Sequence, residues 1–146
     1  MGLLTSLFGK KTKVIVDTVI GPYTLTYSKR DKNIWVNNDD GLVRSVRGTN
    51  DAPDELQINF IKNVDAEVEK LNDIITKRFI REFKEADLPV NFINWNERFK
   101  IGALGVMLIF EGIAYWNITF EDMQEPFAHF TLYIEGNKTT DFSIDT

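Results

Sequence analysis

The chain has 146 residues, a net charge of −5 and no cysteine, and these totals exclude several classes of protein. The length fits one domain, and a content of 43% hydrophobic and 27% charged residues is ordinary for a globular fold. Without cysteine the chain cannot form a thiol nucleophile, a disulfide framework or a zinc–thiolate site. A negative chain is repelled by a phosphate backbone, so we expect no nucleic-acid partner, whereas a basic protein would be attracted.

The first eleven residues, MGLLTSLFGKK, form a short amphipathic segment ahead of the single domain that we predict over residues 12–146. The segment is too short for a secretory signal and has no cleavage site. Three interpretations stay open. It is a short helix packed on the domain or a frayed terminus, an amphipathic foot that contacts a membrane surface or a partner, or a myristoylation site of the Met-Gly-x-x-x-Ser/Thr type.

Short strands are predicted for the first part of the domain, where apolar residues alternate with polar ones between turn signals. The turns are Gly21-Pro22, residues 30–33 and the stretch 37–41, which ends in Asp-Gly. This spacing is typical of an antiparallel meander. The strands predicted here are residues 12–20, 23–28, 34–36, 42–47 and 56–60.

A single long helix is predicted at about residues 63–86, because the apolar residues there recur every three or four positions. Acidic residues crowd its start and basic residues its later part, which suits the helix dipole. Pro89 marks its end. At a rise of 1.5 Å per residue the helix would be about 34 Å long, enough to cross a whole sheet. The apolar positions are Val64, Val68, Leu71, Ile74, Ile75, Phe79 and Phe83.

The stretch Phe99–Phe110 is apolar on both faces when it is read with a period of two, which is typical of a central strand covered on both sides. A buried helix is the competing interpretation, but Gly102 and Gly105 favour a strand. Glu111-Gly112 then predicts a hairpin turn into an alternating return strand over residues 114–121. An acidic loop at 123–126 and strands at 127–135 and 139–144 complete the chain.

These elements predict an α+β fold in the order strands, helix, strands. An antiparallel, curved sheet of about eight short strands would pack on one long helix that covers its apolar face.

No reactive set of side chains is apparent from the sequence. His129 is the only imidazole, and its position in an alternating strand favours a structural or surface role over that of a catalytic base. Gly102-x-x-Gly105 lies within an apolar strand, unlike a phosphate-binding loop. Asp51 and Asp54 lack the spacing of a calcium loop. We therefore assign no catalytic residue, cofactor or metal. The alternative is a small enzyme or ligand-binding domain that uses carboxylates and His129 in a helix–sheet cleft.

Surface recognition remains as the favoured kind of function, because amphipathic aromatic residues are enriched at interfaces. Tyr115 and Tyr133 stand opposite the most apolar faces of their strands, near Glu121 and Glu135. If the two strands are neighbours, these four residues form an acidic and aromatic patch. We take this patch as the candidate interaction surface for a protein partner, with a basic protein as the expected kind.

The layout also resembles that of several uncharacterised small bacterial α+β families. The resemblance lies in Asp17-x-x-x-Gly21-x-Tyr23, in Trp35 a dozen residues on, and in the opening MGLLTSLFGKK. Some of these families belong to toxin–immunity loci, where small acidic proteins neutralise a toxin. The resemblance implies a bacterial, cytoplasmic and non-enzymatic protein of immunity or adaptor type, and it assigns no functional residue. A membrane-surface protein attached through residues 1–11 is a further alternative.

Overall fold

The computed structural model describes residues 13–26 and 33–145. The three interpretations of residues 1–11 fall outside this part of the chain, as does most of the turn predicted at residues 30–33.

The described residues form eight strands and three short helices. The strands are β1 (Ile15–Thr18), β2 (Gly21–Thr26), β3 (Asn33–Asn37), β4 (Val43–Gly48), β5 (Phe99–Phe110), β6 (Ile113–Asp122), β7 (His129–Glu135) and β8 (Lys138–Asp145). The helices are α1 (Glu55–Lys62), α2 (Val64–Lys70) and α3 (Asn72–Glu85), and a single 3-10 turn spans Trp95–Glu97.

All eight strands belong to one sheet, in which they follow each other in chain order. The sheet is mixed, so the prediction of an antiparallel sheet is wrong. Seven strand pairs are described, and β4–β5 is the parallel one, with Val43 opposite Ala103 and Ser45 opposite Gly105. Parallel neighbours need a long crossover connection, and here the three helices provide it. The sequence pattern predicted helix and strands but did not reveal how the two groups of strands join.

The predicted strand at residues 56–60 is also wrong, because these residues belong to α1. The Asp54 side chain caps this helix by accepting a hydrogen bond of 3.1 Å from the backbone N–H of Gln57. Ile58 and Ile61 are buried, whereas Leu56 is exposed. Leu56, Ile58 and Phe60 alternate with polar residues as they would in a strand. In the helix, however, Ile58 packs in the core while Leu56 lies in solvent.

The single long helix predicted at residues 63–86 is two helices, and α1 precedes them. The breaks are at Asn63 and Leu71, where ψ is 12° and 3°. Leu71 is buried, and its N–H still bonds to the carbonyl of Val68 at 3.0 Å. Because the apolar spacing of three and four continues through Leu71, periodicity alone could not locate this break.

The core lies between the helices and one face of the sheet. Its centre is the fully buried ring of Phe79 on α3, which lies between 4.4 and 6.4 Å, centre to centre, from six other phenylalanine rings. Phe60 on α1 packs edge-on against Trp116 of β6 at 5.0 Å. The six rings around Phe79 are Phe83, Phe92, Phe99, Phe120, Phe130 and Phe142.

The prediction that Phe99–Phe110 is a strand is confirmed, as is the hairpin turn after it. The strand is not covered on both sides, since Leu108 and Phe110 are 39% and 58% exposed. Glu111 and Gly112 both have positive φ, at 51° and 77°, which suits a two-residue hairpin. The register of β5 against β6 shifts after Ile101 and after Val106. Such irregularities increase the local twist of a sheet.

Candidate protein-binding surface

One face of the sheet is free of helices within residues 13–26 and 33–145, and we call it the open face. In β6 and β7 every second side chain is buried against the helices, and the residues between them are half-buried or exposed. The pairing of β6, β7 and β8 aligns these side chains in rows, such as Asn117, Tyr133 and Asp141. Another row runs through Thr119, Thr131 and Ser143.

The four predicted interface residues all point to this open face, and their strands β6 and β7 are neighbours. Tyr115 pairs directly with Glu135, and its hydroxyl donates a hydrogen bond of 3.3 Å to Oε1 of the glutamate. The charge of Glu135 is the main reason why the pKa of Tyr115 is raised above its ordinary value. The phenol therefore stays protonated at neutral pH and remains a hydrogen-bond donor.

Glu121 lies at the opposite end of the open face, so the four residues do not form one compact cluster. It pairs with His129, and Lys100 Nζ lies 3.1 Å from its Oε2. Six residue steps along β6 separate Tyr115 from Glu121, which corresponds to about 20 Å at the rise of a strand. The predicted patch is therefore an extended surface, with Tyr115, Tyr133 and Glu135 at one end and Glu121 at the other.

Two acidic residues that the predicted patch did not include add to this surface. Asp141 pairs with Tyr133, and Asp145 pairs with His129. Their alternation with Phe142 and Ile144 in the sequence is the signal that places them on the outer side of the last strand. On strands β5 to β8 the open face thus carries four carboxylates and only two lysines, Lys100 and Lys138. This part of the open face is therefore acidic on balance. The four carboxylates belong to Glu121, Glu135, Asp141 and Asp145.

The middle of the open face carries polar side chains, which lie close to Gly105. A Cβ at Gly105 would lie 3.0 Å from the side chains of Asn117 and Ser45. Thr119 and Thr131 join their hydroxyl groups at 3.1 Å across the strand pair. The side chains of Thr119, Thr131 and Asn117 can donate hydrogen bonds to a partner or accept them.

A separate polar cavity of about 250 Å³ lies between the β3–β4 turn and the junction of α1 and α2. Arg44 at this cavity forms a two-armed ion pair with Asp40, at 2.8 and 2.9 Å. The hydrogen bond from Arg44 is the main reason why the pKa of Asp40 falls to about 2. A carboxylate held so strongly in its ionised form is a weak general base at neutral pH.

Tyr23 is fully buried, and its hydroxyl has no hydrogen-bond partner among the described residues. Burial raises the pKa of this phenol to about 12, although the nearby charge of Arg44 acts in the opposite direction. Tyr23 is therefore neutral, and it is a part of the core rather than a base.

His129 lies exposed on the open face, away from the helices, so a helix–sheet cleft does not contain it. Among the described residues no group of three or more histidine, aspartate or glutamate side chains is arranged to hold a metal ion. In the same part of the chain no helix is long and apolar enough to cross a membrane.

No protein-family model matches this sequence, and comparison with curated proteins and with solved structures gives no significant match.

Proposed function

We propose that this chain is a non-enzymatic, cytoplasmic protein-binding domain of the bacterial immunity or adaptor type, which holds a basic partner on its open face. The observation that carries the proposal is the acidic and tyrosine-bearing surface between Tyr115–Glu135 and Glu121–Asp145. Tyrosine supplies large amphipathic contact area with little loss of side-chain freedom, which is why it is common at binding surfaces.

The charges of this surface support a basic partner. Lys100 is already paired with Glu121, whereas Asp141 has no lysine or arginine within ion-pair distance in the described chain. A partner that presents lysine or arginine there would gain electrostatic attraction as it approaches, in addition to the attraction of the net charge of −5. Basic toxins and basic adaptor targets belong to this class of partner.

A site-specific cross-linking experiment tests the proposal in the native host. A photoreactive phenylalanine analogue placed at Tyr133 should cross-link a protein with an excess of lysine and arginine, identified by mass spectrometry. The control is the same analogue at Glu69, which is exposed on α2, on the helix side of the molecule. Cross-links of equal yield from both positions, or a product that is an acidic protein, would contradict the proposal.

A charge-reversal pair separates a local effect from the effect of net charge. E121K/E135K changes two open-face carboxylates, and E69K/E85K changes two exposed carboxylates on the helices. Each reversal adds two charges, so both double variants carry −5 + 4 = −1. We expect capture of the cross-linked partner to fall about tenfold or more in the open-face variant alone.

The ligand-binding alternative is favoured by one observation, the polar cavity beside Arg44. Asp65 and Lys62 also line it, so a small zwitterionic molecule would find both signs of charge there. R44M should abolish the binding of such a ligand, and it should leave partner capture on the open face unchanged.

A further inference from the structure

A second cavity, of about 370 Å³, opens at the end of the sheet where α3 stops and β7 begins. Phe83 and Phe130 line it from the core side, and Leu88, Phe127 and Ile144 line it near the surface. Its volume is within the range of roughly 300 to 1,000 Å³ that is usual for ligand pockets. This cavity does not include any of the four predicted interface residues.

Two charged residues, Arg98 and Asp122, line this cavity, and both already have hydrogen-bond partners. Arg98 donates to both carboxylate oxygens of Asp122, and its remaining arm donates to Asn91 at 2.7 Å. Asp122 also accepts the backbone N–H of Gln124 at 2.9 Å. Because these charges already have partners, the cavity does not require a charged guest. It suits an apolar side chain, which gains by leaving water.

The mouth of the cavity exposes apolar side chains that the fold does not use. Phe127 is 87% exposed, and Leu88 and Ile144 are 41% and 42% exposed. A phenylalanine with this exposure contributes almost nothing to folding, since it stays in contact with water. Contiguous apolar surface of this kind, with a polar rim, is typical of protein interaction sites.

One exposed carboxylate, that of Glu125, lies in the lining of the cavity and has no partner among the described ion pairs, unlike Asp122. A second copy of the chain carries the same net charge of −5, which opposes its association with the first. A segment with lysine or arginine beside its apolar residue would find the opposite charge of Glu125 at the cavity.

We propose that this cavity receives one bulky apolar side chain from a basic peptide segment, with lysine or arginine beside the anchor facing Glu125. The proposal rests on the proposed function in that it takes the partner to be a basic protein. It names the kind of segment that such a partner inserts at this end of the sheet.

The probe comes from a random library of twelve-residue peptides displayed on phage. The library is selected for binding to the full-length chain. We expect the enriched peptides to carry net positive charge and one large apolar residue with lysine or arginine nearby. The best peptide, made synthetically, should bind F127S and E125K about tenfold or more weakly than it binds the wild type. V19S is the matched control, since Val19 is 73% exposed on the β1–β2 turn and lies outside the cavity.

Four outcomes overturn the proposal. They are no enrichment, enrichment of acidic or uncharged peptides, equal loss of affinity in F127S and V19S, and concentration-dependent dimerisation that F127S abolishes. The last outcome would assign the cavity to a second copy of the chain. Peptide binding should survive E121K/E135K, so failure of the open face as a binding surface is distinguishable from failure of this cavity.

Discussion

The guanidinium group of Arg98 holds the carboxylate of Asp122 through two parallel contacts, with Nε 3.1 Å from Oδ1 and Nη2 2.8 Å from Oδ2. Both side chains are nearly inaccessible, at 9% and 1% exposure. The guanidinium also lies 5.3 and 5.4 Å from the ring centres of Phe83 and Phe99. Because Arg98 precedes β5 and Asp122 ends β6, this ion pair fixes the end of the central hairpin next to the apolar cavity.

Removal of one charge from this pair should destabilise the fold strongly. D122N leaves the buried guanidinium without its counter-charge, and we expect a loss of ~3 kcal/mol in the free energy of unfolding. Urea denaturation followed by tryptophan fluorescence measures it. E121Q is the control, since the more exposed pair of Glu121 with Lys100 should contribute less than ~1 kcal/mol. Equal losses in the two variants would show that burial does not decide the strength of these pairs.

The same ion pair predicts part of the acid sensitivity of the fold. Burial alone would raise the pKa of Asp122, but hydrogen bonds from Arg98 and from backbone N–H groups, with the charge of Arg98, lower it below its ordinary 3.8. A group with a lowered folded pKa stabilises the protein fully above its unfolded pKa. Its contribution is lost as the pH falls from about 4 through the folded pKa.

Denaturation curves at a series of pH values test this sign. Between pH 5 and pH 2 the unfolding free energy of the wild type should decrease more steeply than that of D122N, because the variant has no proton to take up at this position. Parallel curves for the two proteins would contradict the lowered pKa.

Gly48 should be intolerant of any side chain because the backbone approaches it closely. A Cβ at this position would lie 2.3 Å from the carbonyl oxygen of Ala52 and 2.7 Å from Cα of Pro53. We expect G48A to lower stability by about 3 kcal/mol through this overlap. Gly41 has φ of +84° with open space around it, so G41A should lose only about 1 kcal/mol through backbone strain. Similar losses would contradict the close approach at Gly48.

Replacement of phenylalanine by alanine should destabilise the fold strongly at Phe79 and hardly at all at Phe127. F79A removes the central ring of the core and should lower the unfolding free energy by about 3 to 5 kcal/mol. F127A removes an exposed ring and should change it by less than about 0.5 kcal/mol. Thermal or urea denaturation of both variants measures the difference. A large loss in F127A would mean that its ring supports the fold and is not free for a partner.

The parts of the fold that the sequence predicted are those with a strong local pattern. Two-faced apolarity together with Glu111-Gly112 located β5 and its turn, and alternation assigned Tyr115 and Tyr133 to the same side of their strands. The interval 56–60 was misread, because Leu56, Ile58 and Phe60 alternate in the letters while the Asp54 cap starts a helix. The helix breaks and the parallel pairing depend on packing between distant residues, which local patterns do not contain.

The candidate surfaces likewise combine features that local sequence patterns predict with features that these patterns do not contain. Tyr133 and Glu135 could be placed on one face from alternation alone, but the distance of Glu121 from them depends on register. The exposure of Phe127 was not predicted, because the sequence pattern predicts a strand from residue 127, whereas β7 begins at His129. The cavity beside it is formed by four separate parts of the chain, so no single stretch of sequence indicates it.

The parallel ladder between β4 and β5 determines the order in which the molecule can assemble. Residues paired across it, such as Val43 and Ala103, are 60 positions apart, whereas the loops within β1 to β4 and within β5 to β8 have at most six residues. Closing a long loop loses more chain entropy before any contact forms, so distant pairings form slowly. We expect pulsed amide exchange during refolding to show protection within β1 to β4 and within β5 to β8 first. The hydrogen bonds between β4 and β5 should become protected later, once α1 to α3 have brought these two strands alongside each other.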